Sequence, residues 1–299
     1  MMNGGVGMSF ASEVREEICR TEITEVCCAR AELVGMVCYG ATIKNDELKL
    51  RTENSIVAQR FFELIKFLYN INIKIDVTDA GAYYATLEGA EVLKVLRDMK
   101  LVGVPLRIDR EITRNECCKS ALLRGVFLGG GSMVDPNKGY HMELVSNRFS
   151  LEKDMKQVFE YFELYPKRIV RKGNFVFYIK ESQQIENFLA AICAYNKMME
   201  FVNVVIERDL RNSINRRNNF EIANETKIFQ TAMRQQLAIK KIVLEHGWQS
   251  MSPELVAVAK LRMDSLDMSL AEMAEKLGIS KSGVNHRMRR ILQLAEFES

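Results

Sequence analysis

The segment CCARAELVGMVCYGAT, Cys27 to Thr42, returns 90 residues later as CCKSALLRGVFLGGGS, Cys117 to Ser132. Cys27 and Cys28 align with Cys117 and Cys118, Ala31 with Ala121, Leu33 with Leu123, Gly35 with Gly125, Gly40 with Gly130, and Thr42 with Ser132. Such a repeat restricts the chain to architectures in which one unit is built twice.

The segments downstream of the two copies are also alike. After the first come ELKLRTEN, SIVAQRFFELIKFLYN, INIKIDVTD, GAYYATLE and GAEVLKVLRDMKL; after the second come YHMELVSN, LEKDMKQVFEYFELY, KRIVRKG, NFVFYIKE and QQIENFLAAICAYNKMM. Leu48/Leu50 and Phe175/Phe177/Ile179 alternate with period two, which marks strands with one buried face. Val57, Phe61, Leu64, Ile65 and Leu68, like Val158, Tyr161 and Phe162, recur at helical spacing. The fold class is therefore α+β: a duplicated α-β-β-α-β-β-α unit with antiparallel sheets.

The glycines of the repeated helix need a packing reason, since each weakens a helix by up to ~1 kcal/mol. Gly35, Gly40, Gly125 and Gly130 are expected at a pseudo-twofold interface where the two helices meet backbone to backbone. The vicinal cysteines read as small buried hydrophobes. No Cys-x-x-Cys spacing occurs among the seven cysteines, and the three histidines lie far apart, so no metal ligand set and no cofactor is expected. A phosphate loop is excluded because no strand precedes the glycines and no Lys follows Gly131.

Both paired helices resemble the LAGLIDADG homing-endonuclease motif, through LVGMVCYGA (Leu33–Ala41) and LRGVFLGGG (Leu123–Gly131). That resemblance implies a DNA-cleaving scaffold whose helix ends carry carboxylates for divalent cations. Here Gly40 and Gly130 stand at the eighth motif position and Cys38 and Leu128 at the sixth, and neither motif holds a carboxylate. Asp135, Asp46 and Glu47 are the nearest acids, at unequal offsets. Hard cations need oxygen ligands, so a metal-dependent endonuclease is the alternative reading and a non-enzyme the favoured one.

The C-terminal third has its own logic. Ser252-Pro253-Glu254 is a helix start, Ser269 and Glu272 have capping-box spacing, and Gly278 suits a helix-closing turn. Val284, Met288 and Ile291 or Leu292 then give a last helix a buried stripe. The layout is helix-turn-helix. Lys281, Ser282, Asn285, His286 and Arg289 are expected to face outward toward base edges, with Arg287 and Arg290 flanking toward phosphates. A long helix is expected over 222–247, with Ile228, Met233, Leu237, Ile239, Ile242 and Leu244 as its contacts. Ahead of it, Arg208, Arg211, Arg216 and Arg217 share ten residues with the single acid Asp209. This basic stretch reads as a linker, with Arg216 and Arg217 touching DNA or merely solvated.

Taken with MSFASEVREEICR near the start and RNSINRRNNFEIANETK in the middle, the chain is similar to the WhiA family of bacterial sporulation and cell-division regulators. That resemblance joins a degenerate LAGLIDADG-like domain to a helix-turn-helix. It implies a cytoplasmic, nucleoid-associated transcription regulator binding promoter DNA, with RNA polymerase or another regulator as a further partner. The expected domains are a flexible leader (1–7), two repeats (8–110 and 111–207), the basic linker (208–225) and the helix-turn-helix domain (226–299). The first sheet's outer face is expected to carry Lys49, Arg51 and Lys74 toward DNA. A nucleoid or protein-interaction scaffold is a third reading. The N-terminus lacks a signal-peptide pattern, and no stretch approaches the ~20 apolar residues of a membrane span. The net charge of +3 decides nothing by itself.

Overall fold

Helix α2 (Val26–Gly40) carries apolar or small residues on every side, broken only by Arg30 and Glu32, and every residue from Ala31 to Tyr39 is buried. A helix of that composition must lie at the centre of its domain. The structure, a computed structural model, describes residues 8–44, 46–101, 103 and 105–295. The leader expected over 1–7 lies outside the described residues.

The described chain forms two units, divided between Arg208 and Asp209. In the first, α1 (Phe10–Cys19) precedes the first repeat: α2, β1 (Ala41–Lys44), β2 (Glu47–Thr52), α3 (Ser55–Tyr69), β3 (Lys74–Val77), β4 (Tyr83–Glu88) and α4 (Glu91–Asp98). The second repeat has the same order: α5 (Glu116–Gly130), β5 (Gly131–Met133), β6 (Met142–Ser146), α6 (Leu151–Tyr161), β7 (Lys167–Arg171), β8 (Asn174–Ile179) and α7 (Ser182–Ala191). The sheets are antiparallel and ordered β1-β2-β4-β3 and β5-β6-β8-β7. Register explains the sequence alternation. Leu48 pairs with Leu87 and Leu50 with Ala85, all buried, so Lys49 and Arg51 take the opposite face. Leu144 opposite Phe177, and Met142 opposite Ile179, do the same in the second sheet. The β7–β8 hairpin turns on Lys172 and Gly173, both at positive φ (50° and 75°), the two-residue turn that matches strand twist. Tyr161, expected in the core, is exposed under the Lys119 ammonium, 4.6 Å from its ring centroid; Phe159 takes the buried place.

Helices α2 and α5 pack backbone to backbone. A Cβ on Gly35 would lie 2.5 Å from the Leu122 carbonyl oxygen, and one on Gly125 would lie 1.9 Å from that of Glu32. A Cβ on Gly40 would instead lie 2.6 Å from the Gly129 carbonyl oxygen, whereas one on Gly130 would lie 2.3 Å from that of Val145. Gly129 is therefore part of the contact although its repeat counterpart is Tyr39. One buried charge cluster sits beside this seam. Glu32, on α2, accepts from Arg60 Nε (2.7 Å) and Arg124 Nε (3.1 Å), which come from α3 and α5. Burial lowers the Arg60 pKa, and the hydrogen bonds and charge of Glu32 more than reverse this, leaving it raised.

Helix α8 (Tyr195–His246) starts far earlier than residue 222. No Gly or Pro interrupts 195–246, so nothing in the chain breaks it until Gly247 at φ 73°. Residues 208–225, expected as a linker, are helical throughout. In the second unit, Ala232, Gln235, Ala238, Ile239 and Ile242 form the buried stripe of α8. Ile228, Met233, Leu237 and Leu244 are exposed, because the stripe runs at three-and-four spacing from Ala232 and leaves them off it. That stripe packs with α9 (Pro253–Asp264), α10 (Leu270–Leu277) and α11 (Lys281–Leu294) around Val258, Met273, Val284, Met288 and Ile291.

Candidate nucleic-acid interface

The start of α11 is fixed by three local devices. Ser269 and Glu272 form a complete capping box on α10; Gly278 closes α10 in the left-handed conformation (φ 64°); and the Ser280 hydroxyl accepts from the Gly283 amide at 3.1 Å. Upstream, the buried Arg262 guanidinium donates to the Met268 carbonyl at 2.6 Å, tying the α9–α10 turn; burial lowers its pKa. With Val284, Met288 and Ile291 inward, Lys281, Ser282, His286, Arg289 and Arg290 are exposed together. Two expected positions differ. Asn285 is half-buried, and so is Arg287, whose Nη2 lies 3.3 Å from Glu254 Oε2 of α9. Arg287 sits one turn after buried Val284 and directly before buried Met288 and turns toward α9, which its sequence neighbours alone do not reveal. Ser282 also bonds the capping hydroxyl of Ser280 at 2.9 Å.

On α8, Arg216 and Arg217 are exposed. Arg217 pairs with Glu221 at 3.0 Å, and Arg216 Nε donates to the Asn212 carbonyl. On the first sheet, Lys49 and Lys74 lie in one cross-strand row through Thr86, and Arg51 lies on the same face. Each has an acid two residues away: Lys49 with Glu47 (3.2 Å), Arg51 with Glu53 (3.8 Å) and Lys74 with Asp76 (3.1 Å). This face is charge-paired rather than basic. The more basic strand is β7, where Lys167, Arg168 and Arg171 are exposed and Lys172 comes next, in the turn. The run KRIVRK carries that signal in the sequence, where its spacing indicates a strand and its charge is the further clue. Arg168 and Arg171 pair with Glu152 and Glu143, each at 2.6 Å.

The ends of α2 and α5 are where a nuclease of this fold would gather carboxylates. Here they meet arginines. Arg148 donates to the carbonyls of Val37 (3.0 Å), Cys38 (2.7 Å) and Ala41 (2.6 Å), and Arg15 donates to that of Gly131. Burial lowers the pKa of both guanidiniums, yet arginine stays cationic in proteins. A guanidinium occupies the carbonyl-rich tip of α2, and a divalent cation beside it would meet like charge without a compensating carboxylate. Asp135 is committed to its own turn, accepting from the Asn137 amide at 2.9 Å. Sequence reasoning missed both arginines because they lie far along the chain from the carbonyls they cap.

The opposite ends of α2 and α5 hold the vicinal cysteines. Only Cys118 is buried; Cys27 and Cys28 are half-buried and Cys117 is exposed. They are not a set of buried small hydrophobes, because the helix starts open to solvent. Burial, first, pushes the Cys118 thiol up to about 12 and raises Cys28 as well. Cys19 and Cys38, elsewhere, are also pushed up to about 12 by burial.

Three family models match this chain: the WhiA N-terminal LAGLIDADG-like domain over 26–84, the WhiA LAGLIDADG-like domain over 119–211 and the WhiA C-terminal HTH domain over 214–295. Similar relatives include the probable cell division protein WhiA of Alkaliphilus metalliredigens, 35% identical and covering 97% of this chain and 98% of that one. The Bacillus subtilis protein of the same name is 33% identical over 97% and 96%. Among solved structures, full-length WhiA from Thermatoga maritima aligns with a TM-score of 0.61 at 26% identity, covering 98% of this chain and 99% of that one. Among the described residues, no helix is long and apolar enough to cross a membrane.

Proposed function

Because this chain belongs to the WhiA family, we propose that it is a non-enzymatic, sequence-specific DNA-binding regulator of transcription acting in cell division. The observation that carries the reading is the start of α11. There capped, turn-locked backbone presents Lys281, His286, Arg289 and Arg290 to solvent with no acid in that helix. In helix-turn-helix modules the N-terminal part of this second helix enters the major groove. Arg289 has the bidentate donor geometry that reads guanine, and Lys281 and Arg290 supply phosphate contacts.

The names of its relatives support the link to cell division. The LAGLIDADG-like domain serves as a second surface, for DNA or for RNA polymerase or another regulator. Strand β7 and its turn are the better candidate: Arg168 and Arg171 are paired there, but Lys167 and Lys172 add charge beyond those pairs, whereas Lys49, Arg51 and Lys74 each face an acid. The arginines at the helix tips support the absence of catalysis. Such a protein works in the cytoplasm, at the nucleoid.

Fluorescence anisotropy on promoter fragments tests the reading. Arg289→Ala should weaken binding to a specific fragment by ~1–3 kcal/mol and relax base preference at one position. Unchanged affinity removes α11 from recognition. Nicking of supercoiled plasmid by the pure protein with magnesium or manganese overturns the non-enzymatic part.

A further inference from the structure

Vicinal cysteines fail the usual spacing rule for a metal site, but that rule counts ligands along one segment. Here the pseudo-twofold pairing supplies two segments. Cys27 and Cys28 stand in the first turn of α2, and Cys117 and Cys118 in the first turn of α5. All four sulfurs lie within 4.8 Å of one another. We infer that Cys27, Cys28, Cys117 and Cys118 form a tetrathiolate site for one soft divalent cation, zinc, that ties the starts of the two repeat helices together.

Geometry is the main support. Zinc–thiolate bonds of ~2.3 Å set tetrahedral sulfur–sulfur edges of ~3.8 Å. The Cys117 and Cys118 sulfurs are already 3.9 Å apart, so adjacent residues here can share one ion. The other separations need only a small contraction, and the cage has room for a single ion. Thiolate sulfur selects zinc over magnesium, calcium or manganese.

The surroundings fit an anionic centre. Helices α2 and α5 run side by side, with both N-termini at the cysteines and Gly40, the last residue of α2, against Gly129 near the end of α5. Two parallel helix dipoles thus converge their positive ends on one place, and four thiolates around a divalent ion leave a net negative charge there. Neither N-cap residue, Glu25 or Asn115, makes a side-chain capping bond. No N-cap side chain therefore competes with an anion for the first-turn amides of either helix. On binding, four S–H protons leave and four zinc–sulfur bonds form, with no change of oxidation state. The site lies ~20 Å, twelve or thirteen residues of helix, from the tips where a nuclease would act. Its role is structural.

Cobalt(II) titration of the full-length chain, chelator-stripped and fully reduced, is the test. One equivalent should give thiolate-to-cobalt charge-transfer bands and the intense visible bands of tetrahedral cobalt, bleached by zinc. Cys117→Ser, at an exposed position, should weaken cobalt binding about tenfold or more. Cys193→Ser, outside the cluster, should leave it unchanged. Metal analysis of the native protein, purified without chelator, should find one zinc per chain, a readout that survives a variant that does not fold. Weak octahedral spectra, metal-free native protein, or equal binding by Cys27→Ser/Cys117→Ser would overturn the site. So would a disulfide between the two pairs in native protein whose reduced form ignores cobalt.

Discussion

Replacing Gly125 with Ala tests the seam on which the fold depends. The added methyl would lie 1.9 Å from the Glu32 carbonyl oxygen, 2.8 Å from its carbon and 3.0 Å from the Met36 nitrogen. The closest approach is ~1.5 Å short of an ordinary contact. All three obstacles are α2 backbone, so no side-chain rotation relieves them, and the helices must part. Parting them loosens Leu33, Met36, Leu122 and Val126, all fully buried. Overpacking of this kind costs ~1–3 kcal/mol, sometimes more. Better helix propensity offsets ~1 kcal/mol. Because the clash is with backbone, the net destabilisation should reach ~2 kcal/mol. For a unit of 208 residues that lowers Tm by ~4–8 °C, at ~2–4 °C per kcal/mol. Calorimetry of the whole chain should show the shift in the transition of the LAGLIDADG-like unit alone. Gly283→Ala is the control: its methyl meets the Ser280 hydroxyl at 3.3 Å and the Ile279 side chain at 3.8 Å, with no backbone in the way. That change should leave the first transition untouched. A Gly125→Ala protein melting within ~1 °C of the parent would mean that the helices do not approach as closely as described.

Charge and cap geometry give further expectations. Glu32→Gln leaves the buried Arg60 and Arg124 without a counter-charge, and should destabilise by ~3–5 kcal/mol in urea melts; a loss below ~1 kcal/mol would contradict the pairing. Ser269→Ala removes the capping box of α10 and should cost ~1 kcal/mol, seen only in the helix-turn-helix transition; no change there would show that the box is idle. Arg290→Ala should reduce the salt slope of DNA binding by ~1, whereas Arg287→Ala, already paired with Glu254, should change it far less. Equal slopes for the two variants would show that Arg287 leaves Glu254 on binding DNA.

The repeat makes the architecture legible because the same helix, strand and glycine pattern occurs twice. Strand alternation at Leu48/Leu50 and Phe175/Phe177 names the buried faces, and the Ser269, Gly278 and Ser280 signals locate the turn. Contacts between distant segments are another matter. Arg148 caps carbonyls more than one hundred positions away, and no local pattern announces such a partner. Gly129 joins the seam without a glycine counterpart in the other copy. Spacing within each cysteine pair says nothing about their convergence across the seam. Helix α8 runs longer than its apolar pattern indicates, because Asn and Arg lower helix propensity only slightly and do not stop a helix.

The Glu32–Arg124 pair bears on how the two halves diverged after duplication. The position equivalent to Glu32 in the second copy is Leu122, and the one equivalent to Arg124 in the first is Val34. Two first halves meeting each other would leave each Glu32 with Arg60 of its own repeat and no second guanidinium from across the seam. Two second halves would bury a pair of guanidiniums with no carboxylate. Only a first half facing a second half gives Arg124 a carboxylate and Glu32 its second guanidinium. Symmetric pairing of two second halves is thus disfavoured, since it would bury Arg124 against its own copy, and exchange of halves between chains would favour unlike partners. A charge placed once in each copy, at unmatched positions, makes the second half of a duplicated unit depend on the first.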